Sequence, residues 1–225
     1  VFFEKLTART QIAFEVTIGH QFQCQPQPAF GFAAVDDAHH VLMADLFHHF
    51  DFAVETFTEF SIVSSPTPTG FGMPTLTYLG IEVLRLPFIR ATSLGHEILH
   101  NWWGNGVYPD YARGNWSEGL TTFMADYAYR EREGAQPASA MRLGWLRDYA
   151  SIPPGDDQPL ASFTSRTHGA SQIVGYHKAA MLFLMLRDWI GEAAFDEGLR
   201  RFWRDHQFRV AGWEQLRMAF QASSG

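Results

Sequence analysis

Residues 96–100 read HEILH, inside a stretch whose other regularly spaced positions are apolar. After Ile89, the apolar residues Leu94, Ile98, Leu99 and Trp102 recur at three- and four-residue steps, the period of a helix with one buried face. The spacing predicts a helix over 88–104, started near Pro87 and ended by Gly104 and Gly106. On such a helix His96 and His100 project from one face, one turn apart. Both imidazoles can then offer a nitrogen to a single ion at about 2.0–2.1 Å. Any fold this chain adopts has to bring a further ligand to that face, because a catalytic zinc ordinarily has three protein ligands and a water.

Glu97 lies beside such an ion, placed to accept the proton of a metal-activated water. The pattern that would supply a third histidine, HExxHxxGxxH, fails here because its glycine position holds Trp103. A carboxylate from a neighbouring helix fits better. The stretch GNWSEGLTTFMADY, 114–127, presents Glu118 in the first turn of a second helix whose apolar face includes Leu120, Phe123 and Met124. A ligating imidazole normally donates its other N–H to a carboxylate or carbonyl, and Asp126 is the candidate for that partner.

Around this centre the chain changes character. Residues 11–18 alternate polar and apolar as a half-buried strand, 37–50 read as a helix, and 57–64 and 72–86 read as strands separated by the turn formers SSPTPTG. From Pro87 onward the period is helical, with further helices expected at 116–133, 138–150, 171–190, 192–206 and 212–222, punctuated by Gly134, PPG at 153–155, and Gly191. The fold class is therefore α+β, a mixed first third followed by a helical lobe. With 225 residues and 46% apolar composition the chain can build a core of its own. The net charge of -7 argues against a nucleic-acid partner, and no apolar run reaches the ~20 residues of a membrane span. Cys24 is alone, so no intrachain disulfide forms. The compartment stays open between cytoplasm and a secreted or periplasmic space.

HEILHNWWGN followed by WSEGL resembles the gluzincin zinc aminopeptidases, the group of aminopeptidase N and the leukotriene hydrolases, which read HE-x-x-H-x-W-F-G-N and then W-L-N-E-G. GYHKAAMLFLMLRDWIGEAAFDEGLRRFW resembles that family's Y-x-K-G-A helix and the helix after it. The resemblance covers roughly residues 60–222 and implies a thermolysin-like catalytic domain: a small mixed sheet, then a mostly helical lobe. It implies one zinc ion on His96, His100 and Glu118, with Glu97 as general base and Tyr176 as the hydroxyl that stabilises the oxyanion. By the same likeness 1–225 is a catalytic domain, with 1–30 the remnant of a preceding β domain, 31–104 an α/β sub-lobe and 105–225 a helical one. Full-length relatives carry flanking β and helical domains.

The sequence departs from that family in two places. Seventeen residues separate His100 from Glu118 where the family has eighteen, the loss falling in the loop YPDYARG. The family's G-x-M-E-N segment, whose glutamate holds the substrate's free amino terminus, appears as GFGMPTLTY at 70–78, with Pro74 after Met73. Gly72 and Met73 remain the expected substrate contacts, and the strand from Gly72 to about Tyr78 is expected to lie at a sheet edge that can take a peptide. The expected activity is zinc-dependent hydrolysis of peptide bonds, aminopeptidase-like but without the usual amine-binding glutamate. Endopeptidase action, a non-peptidase hydrolase on the same fold and a catalytically silent scaffold are the alternatives. Of the other singled-out residues, His39, His40, His48 and His49 are not expected to form a second metal site, because adjacent histidines point in different directions; His168 reads as a loop histidine, solvated or lining the cleft, and His177 as a neighbour of Tyr176 by sequence alone. Lys178 reads as structural, and Trp102, Trp103 and Trp116 as core.

Overall fold

The computed structural model describes residues 61–66, 70–74, 76–84, 93–167 and 169–225. The chain divides into two compact units, Val1–Leu86 and Pro87–Gly225. The strand and helix expected at 11–18 and 37–50, the four histidines between 39 and 49, Cys24, His168 and the beginning of the 88–104 helix lie outside the described residues.

In the first unit, β1 (Ser61–Ser65), β2 (Gly70–Met73) and β3 (Leu76–Gly80) form a sheet in the order β1-β3-β2. β1 runs parallel to β3 and β2 antiparallel, so the sheet is mixed. The single strand expected over 72–86 is instead two strands and a short helix, α1 (Ile81–Leu84). Pro74 explains the break: it has no N–H for a ladder and suits a turn, and Met73 pairs directly with Leu76 across a two-residue connection. Of the strand expected at an edge, residues 76–78 lie on the central strand β3, and Gly72 and Met73 lie on β2, which like β1 is an edge strand among the described residues.

The second unit is helical. α2 (Ser93–Leu99) leads through a turn to β4 (Tyr108–Pro109), which pairs in parallel with β5 (Val210–Ala211). α3 (Ser117–Thr121) runs without a break through a π-helical stretch, Thr122–Tyr127, into α4 (Ala128–Glu133). α5 (Ala135–Ala150) follows Gly134, whose φ of 129° suits glycine. Pro137 falls in the first turn of α5, where its missing N–H costs nothing. α6 (Gly169–Gln172) passes through a second π-helical stretch, Ile173–Lys178, into α7 (Ala179–Ile190). α8 (Glu192–His206) and α9 (Trp213–Ser224) complete it. No helix among the described residues is long and apolar enough to cross a membrane.

α2 stops at Leu99 instead of continuing to 104. Asn101 N–H donates to the Ile98 carbonyl and Trp102 N–H to Leu99, both at 3.0 Å, tightening the last turn, and the Asn101 side chain also donates to Ile98 at 2.7 Å. The core that holds these helices is aromatic. Trp103, Trp116 and Phe202 cluster with ring centroids 5.1–6.1 Å apart, and Phe195 meets Phe123 edge-on at 5.5 Å and stacks on Phe220 at 4.9 Å. Trp116 also donates its indole N–H to the Ala211 carbonyl at 2.8 Å, fixing the entry to α3 against β5.

Candidate metal centre

His96 and His100 stand one turn apart on α2, with ring centroids 4.9 Å apart. Their Nε2 atoms converge on one oxygen of Glu118, at 3.3 Å from His96 and 3.2 Å from His100. A ligand atom from each of the three residues lies within 4.8 Å of the other two. Two ligands of one tetrahedral zinc at about 2.0–2.1 Å stand about 3.3–3.4 Å apart, so the cluster has the spacing that such an ion requires.

The far side of each imidazole is also engaged. His96 Nδ1 lies 2.9 Å from an Asp126 carboxylate oxygen, and His100 Nδ1 lies 2.8 Å from the Trp103 carbonyl. With Nδ1–H donating to these acceptors, each ring is oriented so that Nε2 faces Glu118. The residues therefore fit zinc in donor type, spacing and outer hydrogen bonding.

Asp126 reaches His96 because of the π-helical stretch. Asp126 is eight residues beyond Glu118, and in a regular α-helix that step overshoots two turns by about 80°. A π-helical stretch has more residues per turn, which brings the two carboxylates nearer one face.

The electrostatics of the pocket favour positive charge. Burial by itself would lower the His96 pKa, but the carboxylates of Asp126 and Glu118 outweigh it and push the value up to about 10. Burial would raise Glu118, and the hydrogen bonds and charge of His100 and His96 instead hold it far below the usual carboxylate range. The surroundings that keep a proton on His96 would equally favour a cation at its Nε2.

Tyr176 lies on the second π-helical stretch, its ring stacked on His96 at 5.9 Å between centroids and 10° between planes. Burial, then the negative charge of Glu118 and a hydrogen bond to it, keep its phenol neutral far above the ordinary range. A neutral phenol is a hydrogen-bond donor. Glu97 is half-buried on α2, beside the two histidines in sequence, and its charge also acts on Tyr176. Tyr111, on the short turn Tyr111–Arg113, is also raised by burial and by Glu118.

Gly72 and Met73 lie on β2, in the first unit. His177 lies 3.2 Å from Asp148, but burial lowers its pKa and favours the neutral ring, whereas Lys178 forms an ion pair with Asp157 at 2.8 Å. Trp103 and Trp116 are fully buried core residues. Two supporting residues escaped the sequence reading, Asn115 and Phe163. The Asn115 side chain accepts from Ser117 N–H at 3.0 Å and from its hydroxyl at 2.7 Å, a local turn that an Asn two residues before a helix start can signal. Nothing in the sequence marks Phe163.

Residues 90–225 match the family model described as the peptidase family M1 domain, and the chain belongs to that family. Aminopeptidase 2, mitochondrial, of Saccharomyces cerevisiae is 28% identical over 144 residues, which cover 60% of this chain and 15% of the yeast protein. Human glutamyl aminopeptidase is 24% identical over 142 residues, again 60% of this chain and 15% of the relative. The match thus spans about 15% of the length of these relatives. Among solved structures, the M1 zinc metallopeptidase of Deinococcus radiodurans shares the fold with a TM-score of 0.67 at 21% identity, covering 88% of this chain and 43% of that one. A variant of the same metallopeptidase bound to a Tyr-Ser-Ala substrate superposes with a TM-score of 0.65 at 20% identity, covering 87% and 42%.

Proposed function

We propose that this chain is the hydrolytic core of a zinc metallopeptidase that cleaves peptide bonds, aminopeptidase-like but without the usual amine-binding glutamate. The observation that carries the reading is the convergence of two Nε2 atoms and one carboxylate oxygen at 3.2–3.3 Å, each imidazole braced from behind. His96, His100 and Glu118 hold the ion. When bound, zinc supplies Lewis acidity and lowers the pKa of a coordinated water toward ~7.

The remaining chemistry belongs to the protein. Glu97 takes the proton of the attacking water and delivers it to the leaving amine. Tyr176 donates its hydroxyl hydrogen bond to the scissile carbonyl oxygen as negative charge builds there. Glu118 keeps that hydroxyl close and its proton in place. Gly72 and Met73 are proposed substrate contacts, a role that rests on the family likeness of GFGM. Flanking β and helical domains are proposed for the full-length protein.

Pro74 favours a second reading in which cleavage does not require a free amino terminus, because proline stands where the family's amine-binding glutamate would be. A zinc measurement, with a peptide tested both free and acetylated at its amino end, decides between them. One equivalent of zinc is expected, and Glu97→Gln should keep the metal while turnover falls ~100- to 10,000-fold. Cleavage of the free peptide alone supports an aminopeptidase, and equal cleavage of both supports an endopeptidase. An unchanged rate in Glu97→Gln would remove the hydrolytic reading.

A further inference from the structure

Phe163 links the helical run that carries Tyr176 to the entry of α3, which carries Glu118, without itself entering the site. Its ring is 1% exposed and meets the Tyr176 ring edge-on, with centroids 6.3 Å apart and planes at 77°. The same ring fills the space over Gly175, where a methyl group would overlap it, so the helix reaches Phe163 only because residue 175 has no side chain. The backbone of Phe163 faces the other helix. Its carbonyl accepts from Asn115 N–H at 2.6 Å, and the Asn115 amide donates to the neighbouring Thr164 carbonyl at 3.2 Å. The free oxygen of that amide holds the first residue of α3, Ser117, next to Glu118. Gly114, with φ of 98°, brings the chain close to the carbonyl of Leu160, 2.6 Å from where a Cβ would stand.

We propose that Phe163 is a positioning residue. With Asn115 it sets the distance between the Glu118 carboxylate and the Tyr176 hydroxyl, and so aims the oxyanion donor. The inference rests on the proposed hydrolytic function and deepens it. Among the described residues, Tyr176 has two ring neighbours, the imidazole of His96 stacked on one face and Phe163 edge-on. Trimming Phe163 leaves the first contact and removes the second, so the phenol gains freedom that its chemistry cannot tolerate. A misplacement of about 1 Å in a catalytic group can cost on the order of 100-fold in rate.

The test is a cycle of Phe163→Leu, Tyr176→Phe and the double variant in the zinc-loaded protein, with crystal structures of the single variants. Phe163→Leu is expected to lower kcat about tenfold to a hundredfold, with KM within about twofold and one equivalent of zinc retained. In the Tyr176→Phe background it should cost almost nothing more, and in its own crystal the Tyr176 ring should leave its parallel stack on His96. Gly175→Ala should mimic Phe163→Leu, and combining the two should recover rate relative to Gly175→Ala alone. Equal loss in both Tyr176 backgrounds, or an undisturbed Tyr176 ring, overturns the positioning role while leaving the zinc reading intact. Full turnover in Tyr176→Phe overturns the role of the tyrosine, and the positioning role with it. If Phe163→Leu fails to fold, Gly175→Ala carries the same comparison.

Discussion

The two helical runs that carry Glu118 and Tyr176 each pass through a π-helical stretch, at Thr122–Tyr127 and Ile173–Lys178, whereas α8 and α9 are regular from end to end. The regular pair packs through large rings, Phe195 against Phe220, with Gly198 giving room for the second. The interrupted pair packs through small residues, the bare backbone of Gly119 against the methyl group of Ala179. A π stretch has a poorer hydrogen-bonding geometry than an α-helix and persists where surrounding packing or function requires it. Here it changes the angular phase of a helix so that a carboxylate reaches a histidine. The contrast separates residues that hold the fold from residues that aim the site.

The largest break in that contrast should come from Phe195→Ala in the regular pair. It should cost about 3–5 kcal/mol of stability in chemical denaturation, with zinc content and kcat of the folded fraction unchanged. Tyr176→Phe should do the reverse. Its melting temperature should stay near that of the parent while turnover falls ~100-fold or more, the loss expected for one oxyanion donor. A tyrosine variant that melts early yet turns over normally would merge the two classes.

Asp126→Asn tests the π-helical stretch itself. An amide holds His96 less firmly than a carboxylate, so the zinc dissociation constant should rise about 10- to 100-fold in a competition assay with a chelator. The smallest effect lies at the Arg187–Glu131 pair, which joins α7 to α4 with bonds of 2.7 and 2.6 Å. The Arg187 hydrogen bonds hold the Glu131 carboxyl below its usual range. Its contribution is therefore present above the ordinary carboxylate pKa and lost as pH falls through the depressed folded value. Because Glu131 is 40% exposed, Glu131→Gln should cost at most about 1 kcal/mol near neutral pH, a difference that vanishes in acid.

Much of this was legible in the sequence where a simple period or a glycine marked it. The helix expected at 192–206 is found at Glu192–His206, and Gly134 and Gly191 sit at helix ends with positive φ. The spacing of His96 and His100 placed both rings on one face, and the carboxylate demanded from a second helix, Glu118, lies against both. The less regular features were hidden. Asp126 was legible as a partner for a ligating imidazole, eight residues after Glu118, and it lies 2.9 Å from His96, but a π stretch has no distinct hydrophobic period, so the turn that brings it there was not. The strand expected over 72–86 ran past Pro74 because its residues are strand formers on both sides of the turn. The end of α2 at Leu99 reflects bonds made by Asn101 and Trp102, which the apolar spacing continues straight through. Phe163 escaped because its role depends on a neighbour that is not close in the chain, the bare backbone of Gly175.

Gly119 follows Glu118 directly, at a crossing where Ala179 leaves no room for a methyl group. Two helices locked at so short a separation cannot slide without collision, so the carboxylate and the phenol travel as parts of one rigid plate. On the proposed hydrolytic function, product release is expected to depend on the loops that border this plate, and substitutions that loosen those loops should alter release before they alter bond cleavage.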